Sequence, residues 1–111
     1  MIRLRYRSLI ARLLKVEGIV LYPWVFFAKT EAGVSRQTLL HEMVHVRQVR
    51  EHGWMGFYGK YLREYARNLA KYKNHYEAYR RISFEDEAYR MQSTLVLTAR
   101  EQEEILRQKK S

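Results

Sequence analysis

Ser35-Arg36-Gln37-Thr38-Leu39-Leu40-His41-Glu42-Met43-Val44-His45-Val46-Arg47-Gln48 is the stretch whose reading decides the fold of this chain. Ser35 has the side chain of a helix N-cap, and Val34 and Leu39 stand where a hydrophobic staple would close over it. A helix is expected from about 36 to 52, with Gly53 suited to its C-terminal cap. His41 and His45 fall in its middle, where the backbone is most rigid. Four residues apart, they share one face about one turn (~6 Å) from each other, so both imidazoles can hold one metal ion. Glu42 is then placed to work on a water at that metal. Leu39, Leu40, Met43, Val44 and Val46 are uncharged, which predicts a helix buried on its flanks. Two histidines and a glutamate on such a helix are costly unless a metal or hydrogen bonds satisfy them.

Outward from this helix, the chain punctuates itself. Toward the N-terminus, Val16 to Ala28 is rich in β-branched and aromatic residues. It predicts two short strands, about 17–22 and 24–29, with Pro23 at an edge or a bend. Residues 3–15 mix Arg with Leu4, Leu9, Ile10, Leu13 and Leu14 at helix-like spacing and read as an amphipathic helix. Toward the C-terminus, Trp54, Phe57, Tyr58, Tyr61, Leu62, Tyr65, Leu69, Tyr72 and Tyr76 recur every three or four residues, predicting a helix over about 54–80, frayed near Asn74. That aromatic stripe reads as core packing. Ser83 and Asp86 form a capping pattern for a third helix over about 84–97. A last, charge-rich helix over about 99–109 reads as a surface element with a loose C-terminus. The expected fold is α+β and mostly helical, with three to five helices and a small antiparallel strand pair. It is one domain over 1–111 with its core at about 17–97.

Composition narrows the function classes. The chain has 111 residues, 47% hydrophobic, enough for one core and too apolar for long disorder. There is no cysteine, so no disulfide framework exists and any zinc site must use nitrogen and oxygen ligands. Lack of cysteine is consistent with a cytoplasmic protein. The most apolar stretch, Ile19 to Ala28, is ten residues and contains Pro23, too short to span a bilayer. A net charge of +9 favours weak binding to polyanions or an anionic membrane surface, although the charges are scattered rather than blocked.

Two histidines make only part of a catalytic zinc site, which ordinarily has three protein ligands and keeps a position for water. His52 lies seven residues past His45 on the same helix, ~10 Å down its axis at ~1.5 Å per residue, too far to share an ion. His75 is a weaker candidate, set among basic and aromatic residues. The strongest is the segment Phe84-Glu85-Asp86-Glu87-Ala88-Tyr89, which puts carboxylates in the first turn of the third helix.

His41-Glu42-x-x-His45 is the His-Glu-x-x-His signature of zinc peptidases. With the later Glu-x-x-Ala, it resembles the gluzincin group of metallopeptidases. The likeness covers residues 17 to 92: a strand pair with Leu-Tyr-Pro, Leu-Leu-His-Glu-x-x-His-x-x-Gln, an aromatic helix, and Phe-Glu-x-Glu-Ala-Tyr. The resemblance implies a small single-domain zinc enzyme that hydrolyses a peptide or protein substrate. Its Zn²⁺ ligands would be His41, His45 and Glu85, with Glu87 the runner-up to Glu85, and its general base Glu42. Tyr89 stands where an aspartate often supports the first histidine, and Gln48, one turn past His45, can hydrogen-bond to the site instead. Tyr79, Tyr76 and His75 are candidate donors to the oxyanion, and the strand near 24–28 would offer its edge to an extended peptide. The alternative is a basic module that binds nucleic acid or acidic protein around a structural or vestigial zinc site.

Overall fold

The computed structural model describes residues 2–109. The chain order is β1 (Arg3–Arg5), α1 (Leu9–Leu13), β2 (Gly18–Leu21), β3 (Trp24–Phe27), a 3₁₀ turn (Glu31–Gly33), α2 (Arg36–His52), α3 (Trp54–Tyr72), α4 (His75–Arg80), α5 (Ser83–Met91) and α6 (Ala99–Lys109). The α+β, mostly helical architecture is therefore as expected, with six α-helices among the described residues and a third strand. No helix is long and apolar enough to cross a membrane among the described residues.

The sheet order is β1-β3-β2. β2 and β3 form the expected antiparallel hairpin, turned at a cis Tyr22–Pro23 bond, with Val20 opposite Val25. β1 adds in parallel on the other side of β3, with Leu4 opposite Val25. The expectation of a continuous helix over 3–15 is corrected here. Ile2 and Leu4 are buried between exposed arginines, a period of two that belongs to a strand, and Leu4 enters the core beside Val25. Arg7 then takes a left-handed φ of 53° and Ser8 caps the short α1 by accepting from Ala11 N. Because β3 is central, it has no free edge; the open edge of the sheet on the hairpin side is β2.

α2 is the axis of the molecule. Ser35 caps it as expected, accepting from Thr38 N, and Gly53 ends it with φ 78°. Every residue from Leu40 to Val46 is buried, among them Met43, Val44 and Val46 at 0–2% exposure. One side of α2 meets the sheet through Val20, Val25 and Phe27, and the other meets Phe57 of α3, Phe84 and Ala88 of α5, and Ile82 just before α5. The long aromatic helix is interrupted, as the expected fraying at Asn74 anticipates: Lys73 turns left-handed at φ 55°, and Asn74 restarts the chain by capping α4 at Glu77 N. α5 is shorter than expected. Ser83 is its first helical residue rather than its cap, because Glu64 of α3 accepts from both Ser83 N (2.8 Å) and its hydroxyl (3.1 Å). α6 is more than a surface element. Ile105 is buried, Glu101 pairs with Arg47 at 2.6 Å, and Glu104 pairs with Arg50 at 2.9 Å, which ties α6 to α2. The extreme C-terminus, expected to be loose, lies outside the described residues.

Candidate metal centre

α2 and α5 meet across the site. His41 and His45 project from one face of α2, and Glu85 projects from the first turn of α5 toward both. All three are buried, at 7%, 4% and 4% exposure. Glu85 Oε1 lies 3.0 Å from His41 Nε2 and 3.1 Å from His45 Nε2. One donor atom from each of the three residues lies within 4.8 Å of the other two. Glu87, on another face of α5, is exposed and meets Gln48 instead. The geometry thus brings Glu85, and not Glu87, to the two imidazoles.

The outer ring nitrogens show what the inner ones can do. Gln48 donates its Nε2 to the Phe84 carbonyl (3.1 Å) and to Glu87 (2.8 Å), so the atom it turns to His45 Nδ1, at 2.8 Å, is its oxygen. An amide oxygen only accepts, so His45 carries a hydrogen on Nδ1. Gln92 Oε1 meets His41 Nδ1 in the same way at 2.9 Å. In the neutral imidazoles both Nε2 lone pairs therefore point at a carboxylate oxygen. Three acceptors converging in a buried place repel one another unless a cation or a proton lies between them. Two imidazole nitrogens and one carboxylate also form the donor set of a catalytic zinc site. The residues fit a divalent metal on both counts.

The titration shifts reflect the same crowding. Burial works to lower the His45 pKa, but the hydrogen bond and charge of Glu85, with Glu42 and Gln48, outweigh it and raise it to about 9. Burial would raise the Glu85 carboxyl; its contacts with His41 and His45 and the hydrogen bond from Tyr61 hold it far below the carboxylate range instead. Tyr61 donates to Glu85 Oε2 at 2.6 Å. Its own phenol is pushed well up, first by burial and then by the Glu85 charge, so it stays a donor.

Glu42 lies beside this cluster, 5% exposed, against the backbone of Gly18. A Cβ on Gly18 would sit 3.0 Å from the Glu42 Cγ and 3.1 Å from its carboxyl group, so only glycine fits there without displacing that side chain. Burial raises the Glu42 pKa against the lowering effect of His45 and His41. A cavity of about 570 Å³ opens on the site, lined by Gly18, His41, Glu42, Tyr79, Tyr89 and Gln92 among others.

Of the other residues singled out in the sequence, Gln48 supports His45 as expected. Tyr89 packs edge-on against His41, ring centres 4.6 Å apart, but the hydrogen bond to that histidine comes from Gln92. Tyr79, Tyr76 and His75 all line the cavity. The Tyr79 hydroxyl lies 3.2 Å from that of Tyr89, and its pKa is pushed far up, first by burial and then by Glu85. Tyr76 is 62% exposed, and the His75 Nδ1 is engaged by the Tyr65 hydroxyl at 2.8 Å. His52 is exposed and packs on Phe84, away from the site. Sequence reasoning missed Gln92 and Tyr61. Gln92 had a signal: Glu85, Tyr89 and Gln92 follow the i, i+4, i+7 row of one helix face. Tyr61 had none, since its stripe is equally a packing stripe.

Compared with protein-family models, with curated proteins and with solved structures, the chain has no significant match.

Proposed function

We propose that this chain is a small gluzincin-type zinc metallopeptidase, acting on a peptide or protein substrate. One observation carries the proposal: two Nε2 lone pairs and the Glu85 carboxylate converge at one buried point, beside a cavity on which Glu42 also opens. A structural zinc site is closed on all sides. The cavity beside His41 and Glu42 therefore favours the hydrolytic reading over a basic binding module with a structural metal.

When bound, a zinc ion would supply Lewis-acid polarisation of the carbonyl and a more acidic water. The chain's own groups do the rest. Glu42, its basicity raised by burial, takes the proton of the attacking water and passes it to the leaving amine. Tyr79, kept protonated, is one of three phenols that line the cavity and the one we assign as donor to the developing oxyanion.

The open edge of β2 holds the substrate backbone. Glu17 O accepts from Ala28 N, so the odd residues of β2 bond inward to β3 and the even ones point outward. Tyr58 occupies Val20 O and Tyr22 N, each at 2.9 Å. Both backbone groups of Gly18, beside Glu42, and the N–H of Val20 are left facing outward, where an extended peptide can pair with them.

Elemental analysis of purified protein tests the centre first: one zinc per chain is expected, lost in Glu85→Ala and kept in Glu87→Ala. Glu42→Gln should keep the zinc and lose turnover by roughly 10²–10⁴-fold. Turnover that persists in Glu42→Gln would sink the assigned base, and a protein that takes up no zinc would sink the proposal.

A further inference from the structure

α1 presents an apolar face that none of the described residues covers. Leu9, Ile10, Leu13 and Leu14 are 62%, 43%, 72% and 55% exposed. Leu9 and Leu13 form one row of the helix, Ile10 and Leu14 the next, while Ala11 on the opposite side is fully buried and anchors the helix to the domain. Soluble domains seldom leave such a contiguous aliphatic patch without a use. Arg7 lies at the start of this helix, Arg12 within it and Lys15 just past its end, all exposed. Exposed Arg3 and Arg5 precede it on β1. No carboxylate occurs before Glu17, which pairs with Lys29 at 3.7 Å.

The chemistry of this surface selects its occupant. A second copy of the chain would bring these cations against their own kind. A single-stranded nucleic acid would want aromatic rings to stack on, and the α1 face is purely aliphatic. An anionic bilayer satisfies both halves, with aliphatic side chains below the headgroups and cations among them. We propose that α1 docks this protein on anionic lipid surfaces. Leu9, Ile10, Leu13 and Leu14 enter the acyl boundary, and Arg7, Arg12 and Lys15 stay with the headgroups. Lys15 also lines the cavity over His41 and Glu42, so docking holds the mouth of that cavity beside the membrane.

Co-sedimentation with vesicles of phosphatidylglycerol and phosphatidylcholine, against phosphatidylcholine alone, tests this on the full chain. Binding to the anionic vesicles alone is expected, weakening with salt. Leu9→Ser/Leu13→Ser should weaken it roughly tenfold or more, and Arg7→Gln/Arg12→Gln roughly twentyfold. Arg63→Gln/Arg67→Gln on α3 lowers the net charge of +9 by the same amount, and should change binding by roughly twofold or less. All six positions are exposed, and circular dichroism should show unchanged folding. Equal losses in the two arginine pairs would reduce the effect to general adsorption of a basic protein and overturn the proposal. So would full binding by the leucine pair, or no preference for anionic vesicles. A dimer at working concentration that the leucine pair abolishes would assign the face to a second copy instead. Retention of a single-stranded oligonucleotide that the leucine pair abolishes would assign it to nucleic acid.

Discussion

Raising the pH should weaken the metal-free fold and strengthen metal binding over the same interval. In the metal-free protein, the proton on His45 is the cation that separates the two imidazoles from Glu85. Its folded pKa is raised to about 9, against about 6.5 for a free imidazole. Stability from this proton is complete below about pH 6.5 and is lost as the pH rises through 9. At ~1.4 kcal/mol per pH unit the loss is about 3 kcal/mol. The His45 side chain is only 6% exposed, so solvent screening removes little of it. For a domain of this size the melting temperature should fall by roughly 12 °C between pH 6.5 and 9. A metal ion must displace the same proton, so apparent zinc affinity should rise about tenfold per pH unit from 6.5 toward 9. Binding near pH 7 should release close to one proton. Thermal melts of chelator-treated protein check the first half. Calorimetric titration in buffers of different ionisation enthalpy checks the second. A metal-free melting temperature and a zinc affinity that both stay flat from pH 6.5 to 8.5 would refute the reasoning, because His45 would then be neutral throughout and the site unprotonated.

Three further outcomes follow from the contacts around the centre. Gln92→Leu removes the acceptor at His41 Nδ1 (2.9 Å) and should cost roughly 10–100-fold in zinc affinity, read by competition with a chelator. Gly18→Ala places a methyl 3.1 Å from the Glu42 carboxyl group, so turnover should drop severalfold or more while zinc content stays at one per chain. Arg47→Ala strips the partners at 2.6 and 2.8 Å from Glu101, whose carboxyl is held down to about 2 chiefly by Arg47. Discounted for the partial exposure of Arg47, this should cost about 2 kcal/mol in urea melts at pH 7. The deficit should shrink as the pH falls from about 4.5 toward 2, since the wild-type pair loses its own contribution there.

Local signals carried much of the fold. Ser35 and Gly53 bound α2 because capping is a matter of a few neighbouring residues, and the Tyr22–Pro23 turn separates β2 from β3 for the same reason. Where a distant partner decides the structure, the sequence was mute or misleading. Leu4 could serve equally in a helix; it becomes a strand residue because β3 offers it Val25 as a neighbour. Ser83 looked like a cap because Asp86 follows it, yet Glu64, nineteen residues earlier, takes its N–H. Glu101 and Glu104 looked like surface charge because Arg47 and Arg50 stand 54 residues away from them. In the site the division is the same. His41, Glu42 and His45 were legible as one helix face. Gln92 and Tyr61 come from α5 and α3 and converge only in the folded chain.

That convergence explains how so short a chain can hold a centre in place. His45 is fixed from α2 itself, through Gln48, which is in turn fixed by the Phe84 carbonyl and Glu87 of α5. His41 is fixed by Gln92 at the C-terminal end of α5, and Glu85 by Tyr61 of α3. Each inner residue therefore has one contact toward the centre and one outward contact that sets its angle. α5 supplies partners to both histidines, so a shift of α5 along α2 would break both sets at once. Phe84 and Ala88, buried on the face of α5 that meets α2 and α3, resist that shift by packing alone. The position of α5, then, is what couples the core to the chemistry. Substitutions that loosen Phe84 should lower metal affinity before they touch any ligand.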